Sequence, residues 1–593
     1  MDRTLQKKFE FLGIKSGHIL NVIILSVLAA LTESFGLALI LPILDFLQKG
    51  ENVRDLVNES QVWPYIFDTF SFFQVKVSLY SLLLVAVLLL TMRSVIHYAR
   101  NLYNAHLQQH MSHCARTNVI SSYILMQFSR FQQDSTSSLI NILANELPRA
   151  TGSFYILLQL FSNLIMFLGL FSLLILLSPL LTLFAAVIIF SSGVIVLLLT
   201  KNTKRTSLNA SAANKNFAEG FGQMFQLLKL VKLSATEKSV IRQITDDSNT
   251  IRSRFFDLAK YRAKIDLSIE PFIIIAGSMV LVYSIDFLKL GLSETGVFML
   301  VLLRIMPIAK TVLQAVQAFS AAEGSRKMLF QAYFDATQFR EENLGTDKLS
   351  APSDITFDDV SFQYTQDIAA LRGISLKFHA GKITALIGRA GAGKSTLIDL
   401  ILRIYEPTHG RILINEKPLG SYDITDLRDN ISFVTQDSYF LDASIRENIT
   451  ISGLKLSDKK ILNELDRVFG NQFEQSFPKK LDTAMGFSGA NLSGGQKQMI
   501  ALCKAILEDR KIIVLDEPTS SLDLQSQKRV VELIRSLRND NRIIIIVSHR
   551  PSTLSIADTI FILDHGKVSQ SGSHKELLTK SDWYKTFFSN EKA

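Results

Sequence analysis

Ile383-Thr-Ala-Leu-Ile-Gly388-Arg-Ala-Gly-Ala-Gly-Lys394-Ser395-Thr396 is the stretch that decides the fold of the C-terminal half of this sequence. Its first five residues predict a buried parallel strand, a glycine-rich loop follows, and Lys394 opens a helical pattern. This order is the context that a phosphate-binding P-loop requires. Backbone amides of such a loop wrap the phosphates, Lys394 reaches the β- and γ-phosphates, and the hydroxyl of Ser395 binds Mg²⁺. The predicted nucleotide contacts here are Gly388, Arg389, Ala390, Gly391, Ala392, Gly393, Lys394, Ser395 and Thr396.

Two further apolar runs, Ile512–Leu515 and Ile543–Val547, predict buried parallel strands of the same α/β domain. The first run ends in Asp516 and Glu517. An aspartate at a strand end beside a P-loop can hold Mg²⁺ through water, and the next carboxylate can polarise the attacking water. Acidic residues after strands are also ordinary loop starts, so this assignment depends on the P-loop.

A second anion-binding pattern, Leu492-Ser493-Gly494-Gly495-Gln496, precedes a helical pattern over Lys497–Leu507. A serine hydroxyl and the bare amides of two glycines at a helix start favour an anion, although an ordinary N-capped helix is the alternative. The P-loop, this pentapeptide about a hundred residues later and the Asp-Glu pair about twenty residues beyond it together resemble the ATP-binding cassette of ABC transporters.

The resemblance implies roles for residues elsewhere in the domain. Tyr364, in Val360-Ser-Phe-Gln-Tyr364, matches the aromatic residue on which the family stacks adenine, and His549 matches the histidine that contacts the γ-phosphate. Gln436 matches the glutamine that senses Mg²⁺ and the membrane domain, and Asp523 belongs to the segment that crosses between paired cassettes. The predicted catalytic residues are thus Glu517, His549 and Gln436. The predicted Mg²⁺ ligands, in part through water, are Ser395, Gln436 and Asp516. The further predicted ATP contacts are Tyr364, Ser493, Gly494, Gly495, Gln496, Asp516 and Asp523.

One position departs from the family pattern. The pentapeptide Leu492–Gln496 matches the sequence that is called the signature of this family. Exporters of the family usually carry Thr-x-x-Gly-Glu-x-Gly before the signature, whereas this chain has Thr483-Ala-Met-Gly486-Phe487-Ser-Gly489. In the family that glutamate helps to relay motion to the membrane domain of the second subunit, and Phe487 can offer only a hydrophobic contact there.

The resemblance also implies a dimer. In the family, the P-loop and the signature of one cassette face away from each other, and ATP is enclosed only when a second cassette supplies its signature. Because this chain has one of each, we expect it to pair with a second copy of itself or with a related half-transporter. Glu517 and His549 are both present, so a homodimer would have two complete hydrolytic sites.

The N-terminal half has the composition of a membrane domain. Of the 593 residues, 20% are charged and 48% are hydrophobic, and the mean hydropathy of +0.23 excludes a disordered chain. Two cysteines cannot form a disulfide framework, which excludes a small oxidised extracellular fold. The net charge of +9 is compatible with nucleic-acid binding, but basic cytoplasmic loops of a membrane protein explain it better, and we expect no nucleic-acid partner.

Residues 150–200 contain no charged side chain, and at 1.5 Å per residue they would form about 75 Å of helix, roughly twice one bilayer crossing. Ser178-Pro179 is a natural break, so the stretch predicts two spans. The six predicted spans are residues 18–46, 77–98, 152–177, 180–200, 267–286 and 294–321. We therefore predict an α-helical transmembrane domain over 1–330, a linker over 331–352, and an α/β P-loop NTPase domain of ABC type over 353–593.

Basic residues indicate the orientation of the spans. They precede the first span and are concentrated between spans two and three and after span four, which places these segments in the cytoplasm. With six spans, both termini and the cassette lie on that side. The first span is too long for a signal peptide, and a half-transporter without a targeting sequence is typical of a bacterial inner membrane.

The last span carries Arg304 about ten residues from its start, near the bilayer midplane, where an arginine costs ~2.5–3.5 kcal/mol. This side chain should therefore face a cavity or a partner. Either it helps to hold an anionic headgroup such as a lipid pyrophosphate, or Glu33 or Glu270 neutralises it. Lys310 lies about 120° around the helix from Arg304. The predicted cavity residues are Arg304, Lys310 and Glu33.

The first span reads Glu33-Ser-Phe-Gly-Leu-Ala-Leu-Ile-Leu-Pro42-Ile-Leu-Asp45, which loosely resembles the start of half-transporters that flip lipid-linked oligosaccharides and related glycolipids. With ATP and Mg²⁺ as cofactors, the predicted function is an ATP-hydrolysing exporter or flippase that moves an amphipathic, lipid-type substrate outward. A multidrug or peptide exporter of the same fold and an ATP-gated channel or regulator are the alternatives. The presence of Glu517 and His549 favours turnover over gating.

Overall fold

The computed structural model describes residues 3–49, 63–72, 74–132, 134–287, 292–350, 352–365, 368–470, 472–539 and 541–590. The chain divides into two compact units, Met1–Arg340 and Glu341–Ala593. Each unit has hydrophobic clusters of its own, so each has the kind of core that an independent domain needs.

The described residues of the first unit are almost all helical. The helices are α1 (Arg3–Phe11), α2 (Ser16–Ala38), α3 (Ile40–Lys49), α4 (Trp63–Phe72), α5 (Leu79–Ile124), α6 (Phe128–Phe131), α7 (Thr136–Asn141), α8 (Leu147–Leu177), α9 (Pro179–Gln226), α10 (Leu228–Leu233), α11 (Glu237–Asp286), α12 (Leu292–Ala321) and α13 (Glu323–Gln338), with a π-helical turn over Ile142–Glu146. α5, α9 and α11 contain 46, 48 and 50 residues. At 1.5 Å per residue each is about 70–75 Å long, well beyond one bilayer crossing.

Four helical segments among the described residues are long and apolar enough to cross a membrane: Ser16–Leu44, Leu79–Ile124, Thr136–Leu177 and Thr295–Ala321. The predicted spans 180–200 and 267–286 lie within α9 and α11. α8 ends before Ser178 and Pro179 begins α9, because proline lacks the N–H that a continuous helix would need. The side chains of Asp45 and Glu270 lie outside the described part of the structure.

The predicted linker over 331–352 needs a correction, because α13 continues to Gln338. Leu329, Ala332 and Ala336 recur at helical spacing and are all buried, so this segment packs as a helix rather than running free. The polar run that predicted a linker begins only at Glu341, after the helix has ended.

The second unit is an α/β domain with two sheets. Its strands are β1 (Asp354–Thr365), β2 (Ile368–His379), β3 (Ile383–Gly388), β4 (His409–Ile414), β5 (Lys417–Pro418), β6 (Ile431–Val434), β7 (Ile512–Asp516), β8 (Ile543–Val547), β9 (Thr559–Asp564) and β10 (Lys567–Gly572). Its helices are α14 (Lys394–Ile401), α15 (Ile424–Asp429), α16 (Ile445–Thr450), α17 (Asp458–Phe469), α18 (Phe473–Ser476), α19 (Gly494–Glu508), α20 (Leu524–Ser536), α21 (Pro551–Leu554), α22 (His574–Lys580) and α23 (Asp582–Asn590). The smaller sheet is antiparallel, with the order β2-β1-β4-β5.

The larger sheet brings three strand ends together. Its order is β10-β9-β3-β8-β7-β6, in which all neighbours are parallel except β10 and β9. Every residue of β3 and β8 is buried, which fits their largely apolar sequences. Because β3, β8 and β7 are adjacent and parallel, their carboxyl ends meet at one edge, where ligands bind in sheets of this type.

Candidate functional site

The loop after β3 has a shape that only glycine permits at two positions. A Cβ on Gly388 would lie 2.2 Å from the carbonyl oxygen of Leu563, and a Cβ on Gly393 would lie 2.8 Å from that of Ala370. Gly393 also has a φ of +99°, and Gly391 has a φ of +77°. These left-handed residues turn the chain so tightly that backbone amides can surround an anion.

Lys394 begins α14 and folds back over this loop. Its Nζ donates to the carbonyl oxygens of Gly388 at 2.7 Å and Arg389 at 3.1 Å. Burial lowers the pKa of the Lys394 ammonium, while the carboxylates of Glu517 and Asp516 oppose that shift. The exposed members of the loop and helix start are Arg389, Ala390, Gly391 and Ser395, whereas Ala392 and Thr396 are buried.

Asp516 and Glu517 follow each other at the end of β7. Burial and the neighbouring Glu517 carboxylate raise the pKa of Asp516 to about 6, and Lys394 opposes the shift. Glu517 has a left-handed backbone with a φ of +50°, and its amide donates to the carbonyl oxygen of Val547 on β8 at 2.8 Å. The backbone of Glu517 is thereby tied to the next strand.

Gln436 and His549 reach Glu517 from the neighbouring strand ends. Gln436, two residues after β6, donates from Nε2 to Glu517 Oε2 at 3.2 Å. His549, two residues after β8, places Nε2 at 3.9 Å from Glu517 Oε1. The three predicted catalytic residues therefore come together: the amide of Gln436 bonds to the Glu517 carboxylate, and the imidazole of His549 lies beside it. A carboxylate in this position can orient a water molecule.

Tyr364 lies near the end of β1, in the smaller sheet. Its hydroxyl is 3.0 Å from Thr396 Oγ1, which ties it to the start of α14. Phe362 and Tyr405 pack against its ring edge-to-face at 5.0 and 5.4 Å. The side chain is still 45% exposed, so a planar base has room to stack on it.

The signature pentapeptide forms the capped start of α19. Ser493 Oγ accepts from the amide of Gln496 at 3.3 Å, and Gln496 Oε1 accepts from the amide of Ser493 at 2.9 Å. A Cβ on Gly495 would lie 3.0 Å from the carbonyl oxygen of Ser521, so the backbones pass closely there. Ser493 and Gly494 are exposed, and within the described residues no hydrogen bond joins the pentapeptide to the P-loop.

Asp523 and Phe487 occupy very different surroundings. Asp523 is the N-cap of α20, and its Oδ1 accepts from the amides of Gln525 and Ser526 at 2.9 Å each. These hydrogen bonds lower the pKa of Asp523, and the bond from the Ser526 amide has the largest effect.

Phe487 begins a short 3₁₀ turn and is 80% exposed, so an aromatic surface stands where the family has a carboxylate.

Two polar residues near this site were not predicted from the sequence. Gln498, on α19, is buried and bonds to the backbone of Glu517 and to the segment after it. Asp399, on α14, faces Asp516, and burial together with that charge raises its pKa to about 6. In the sequence, each of the two appears only as a polar residue on an otherwise apolar helix face. Such a residue can be a hydrogen-bonded part of the core or a functional residue, so the pattern does not tell the two apart.

In the first unit, Glu33 is 1% exposed and contacts two arginines. Its Oε1 accepts from Nε of Arg304 at 2.5 Å, and its Oε2 lies 3.2 Å from Nε of Arg93. The sequence predicted Glu33 as one partner of Arg304, but it did not predict Arg93. Lys310, on the same helix as Arg304, is half-buried.

Two further basic residues, His97 and Arg100, lie on α5 on the same helix face as Arg93. Arg100 is 6% exposed, and its Nη2 is 3.1 Å from Nδ1 of His97. Nε and Nη1 of Arg100 and Nε2 of His97 are buried and have no hydrogen-bond partner in the described part of the chain. Arg93, His97 and Arg100 are spaced four and three residues apart, so they share one helix face.

Two parts of the chain match families of known proteins. Residues 19–311 match the family described as ABC transporter transmembrane region, and residues 371–520 match the family described as ABC transporter. The ATP-dependent lipid A-core flippase of Idiomarina loihiensis is 31% identical over 396 residues, which are 66% of this chain and 67% of that protein. A heterocyst differentiation ATP-binding protein of Nostoc sp. is 27% identical over 570 residues, 94% of this chain and 91% of that protein.

A solved structure shares the fold over nearly the whole chain. It is a bacterial Atm1-family ABC exporter with ATP bound, with a TM-score of 0.79 and 20% identity, covering 97% of this chain and 98% of that one. The predicted fold class and the predicted coupling of an ATPase to export are thereby confirmed. The chain is a multi-pass membrane protein that belongs to the ABC transporter family, as an exporter-type half-transporter with one helical transmembrane domain and one ATP-binding cassette.

Proposed function

We propose that this exporter is a flippase for an anionic amphiphile of the lipid-linked sugar or glycolipid type, which it moves outward from the cytoplasmic side of a bacterial inner membrane. The observation that carries this proposal is the excess of positive charge around Glu33. Arg93 and Arg304 share that single buried carboxylate, and Arg100 is buried on the same helix face as Arg93 with two unpartnered nitrogen atoms.

The physical argument is one of charge balance. Among the described side chains, three guanidinium groups face one carboxylate and leave an excess of two positive charges. Arg100 is buried, and uncompensated charge is expensive in such a low-dielectric position. A headgroup with a diphosphate would supply two or more negative charges and oxygen acceptors for the unpartnered N–H groups. A neutral drug or peptide would leave the excess uncompensated, so the cluster favours an anionic substrate over that alternative.

The cassette supplies the residues for ATP hydrolysis. The hydroxyl of Ser395, the carboxylate of Asp516 and the amide oxygen of Gln436 are oxygen donors of the kind that Mg²⁺ prefers, so these residues fit a magnesium site. Bound there, the ion would neutralise charge on the β- and γ-phosphates. Lys394 would bind the same phosphates, and Glu517 would polarise the attacking water.

A second subunit would complete each site. Ser493, Gly494 and Gly495 contact Gln496 and Ser521 rather than their own P-loop, and Ser493 and Gly494 are exposed. A second copy of the chain would present these amides to the ATP bound here, and this chain would do the same in return. Tyr364 would stack on the adenine and His549 would contact the γ-phosphate. Asp523 would lie in the segment that crosses to the second cassette. Both termini and the cassette would face the cytoplasm.

Lipid-stimulated ATPase activity in nanodiscs tests the substrate class. We expect a lipid with a diphosphate headgroup to stimulate hydrolysis, while a neutral lipid of the same chain length, a drug panel and a peptide panel do not. In Arg304→Ala, stimulation relative to the variant's own lipid-free rate should be lost. The matched control is Arg254→Ala, which removes an exposed arginine from α11. Equal stimulation by neutral compounds would contradict the proposed substrate, and full-rate hydrolysis by a monomer would contradict the dimer.

A further inference from the structure

We propose that Gln498 is a positioning residue that couples the signature of this chain to its own hydrolytic Glu517, and thereby couples the two ATP sites of a dimer. Gln498 lies on α19 and is 3% exposed. Its Nε2 donates to the carbonyl oxygen of Glu517 at 2.6 Å and to Ser520 Oγ at 3.0 Å. Its Oε1 accepts from the amide of Ser521 at 3.1 Å.

All three hydrogen bonds of the Gln498 side chain go to the segment that follows β7. Both N–H groups of the amide are donated and its oxygen is occupied, so the side chain is fully partnered although it is buried. All three partners belong to residues 517–521. Gln498 therefore holds this segment against α19.

The backbone of Glu517 needs such support. It has a left-handed φ of +50°, which is unfavourable for a residue with a Cβ and persists only where the surroundings impose it. On one side its amide donates to Val547, and on the other its carbonyl oxygen accepts from Gln498. A shift of α19 would consequently be transmitted to the backbone that carries the Glu517 carboxylate.

The N-terminal end of α19 carries the signature. Ser493 caps the helix five residues before Gln498, a separation of about 7.5 Å along the helix axis. This part of the inference rests on the proposed dimer, in which Ser493 contacts the ATP bound by the second subunit. Closure on that ATP would move α19, and Gln498 would pass the movement to the Glu517 that serves the other ATP. The two sites would then bind and hydrolyse ATP cooperatively.

ATPase rates of full-length protein in nanodiscs, measured against ATP concentration, test this role. In Gln498→Leu, we expect kcat to fall at least tenfold and the Hill coefficient to drop to about 1, while half-saturating ATP changes less than threefold. Gln498→Glu keeps the size but sets a carboxylate against the carbonyl oxygen of Glu517, and it should behave in the same way. The matched control is Gln527→Leu, which removes another buried glutamine, on α20, whose Nε2 donates to Ser552 Oγ.

The outcomes separate this role from a merely structural one. If Gln527→Leu lowers kcat and the Hill coefficient as much as Gln498→Leu does, the effect is general destabilisation and the coupling role is wrong. Should Gln498→Leu fail to fold, Ser520→Ala removes one of the same hydrogen bonds more gently, and an unchanged Hill coefficient in that variant overturns the proposal. Wild-type protein that dimerises but has a Hill coefficient of 1 also overturns it. A full-length protein that stays monomeric both with and without ATP would instead refute the proposed homodimer.

Discussion

Glu33→Gln should destabilise the membrane domain, because it removes the carboxylate to which two arginines are bound while keeping the side-chain size. Glu33 is 1% exposed, with Arg304 at 2.5 Å and Arg93 at 3.2 Å. Removing one partner of a buried ion pair costs about 3–5 kcal/mol when the remaining charge stays buried. The side chains of Arg93 and Arg304 are 22% and 45% exposed, so their charges are partly relieved, and we expect a loss of about 2–3 kcal/mol.

Arg304→Ala should cost less, about 1 kcal/mol, because Glu33 keeps Arg93 as its partner and Arg304 is the more exposed of the two arginines. Thermal and denaturant unfolding of the full-length protein in detergent measure both changes. The matched control is Glu237→Gln, which breaks an exposed pair with Lys232 and should change the stability far less than Glu33→Gln does. The charge-balance argument fails if Glu33→Gln is as stable as this control, or if Arg304→Ala is as unstable as Glu33→Gln.

Two further predictions concern the cassette. Gly393→Ala should weaken ATP binding at least tenfold in a nucleotide titration, because the new Cβ would lie 2.8 Å from the carbonyl oxygen of Ala370. The control is Gly391→Ala, which should weaken binding less, because Gly391 has a similar φ but open space around it. Asp399→Asn should stabilise the nucleotide-free protein at pH 7.5 by up to about 3 kcal/mol, because the folded-state pKa of about 6 exceeds the unfolded value by about two units. The folded state then binds the proton more tightly, so this penalty is full above pH 6, falls to about half at pH 5, and vanishes below the unfolded pKa. A stabilisation that is the same at pH 7.5 and pH 5, as measured by thermal unfolding, would contradict the assignment.

The nucleotide site was predictable because its chemistry depends on local sequence. A P-loop needs a strand, glycines and a helix within about a dozen residues, and Gly388 to Lys394 supply them in order. The end of β7 was predictable for a related reason: an apolar run of strand length followed by two acids has few other interpretations once a P-loop is present. Parallel pairing with β8 and β3 then brings these local patterns to one edge of the sheet.

The membrane cluster was predictable only in part, because its partners are far apart in sequence. Glu33 and Arg304 are 271 residues apart, and depth along their spans was the only guide to their contact. Arg93 lies near the end of a predicted span, where basic residues commonly mark the membrane boundary, so its inward direction carried no local signal. The helical character of residues 331–338 was missed for a different reason: the polar run after residue 340 dominated the interpretation of the whole segment.

Gln498 and Asp399 expose a general limit of sequence reasoning. Each is a polar residue on a helix face that is otherwise apolar, and such a residue is unfavourable unless something partners it. The sequence shows the polar residue but not its neighbours. Gln498 has hydrogen-bond partners about twenty residues away, whereas Asp399 meets the like charge of Asp516, more than a hundred residues away, which adds to the cost. Both neighbours lie at the end of β7. Gln498 bonds to the segment proposed to carry the hydrolytic carboxylate rather than to its own helix, and this is the observation that supports the proposed coupling.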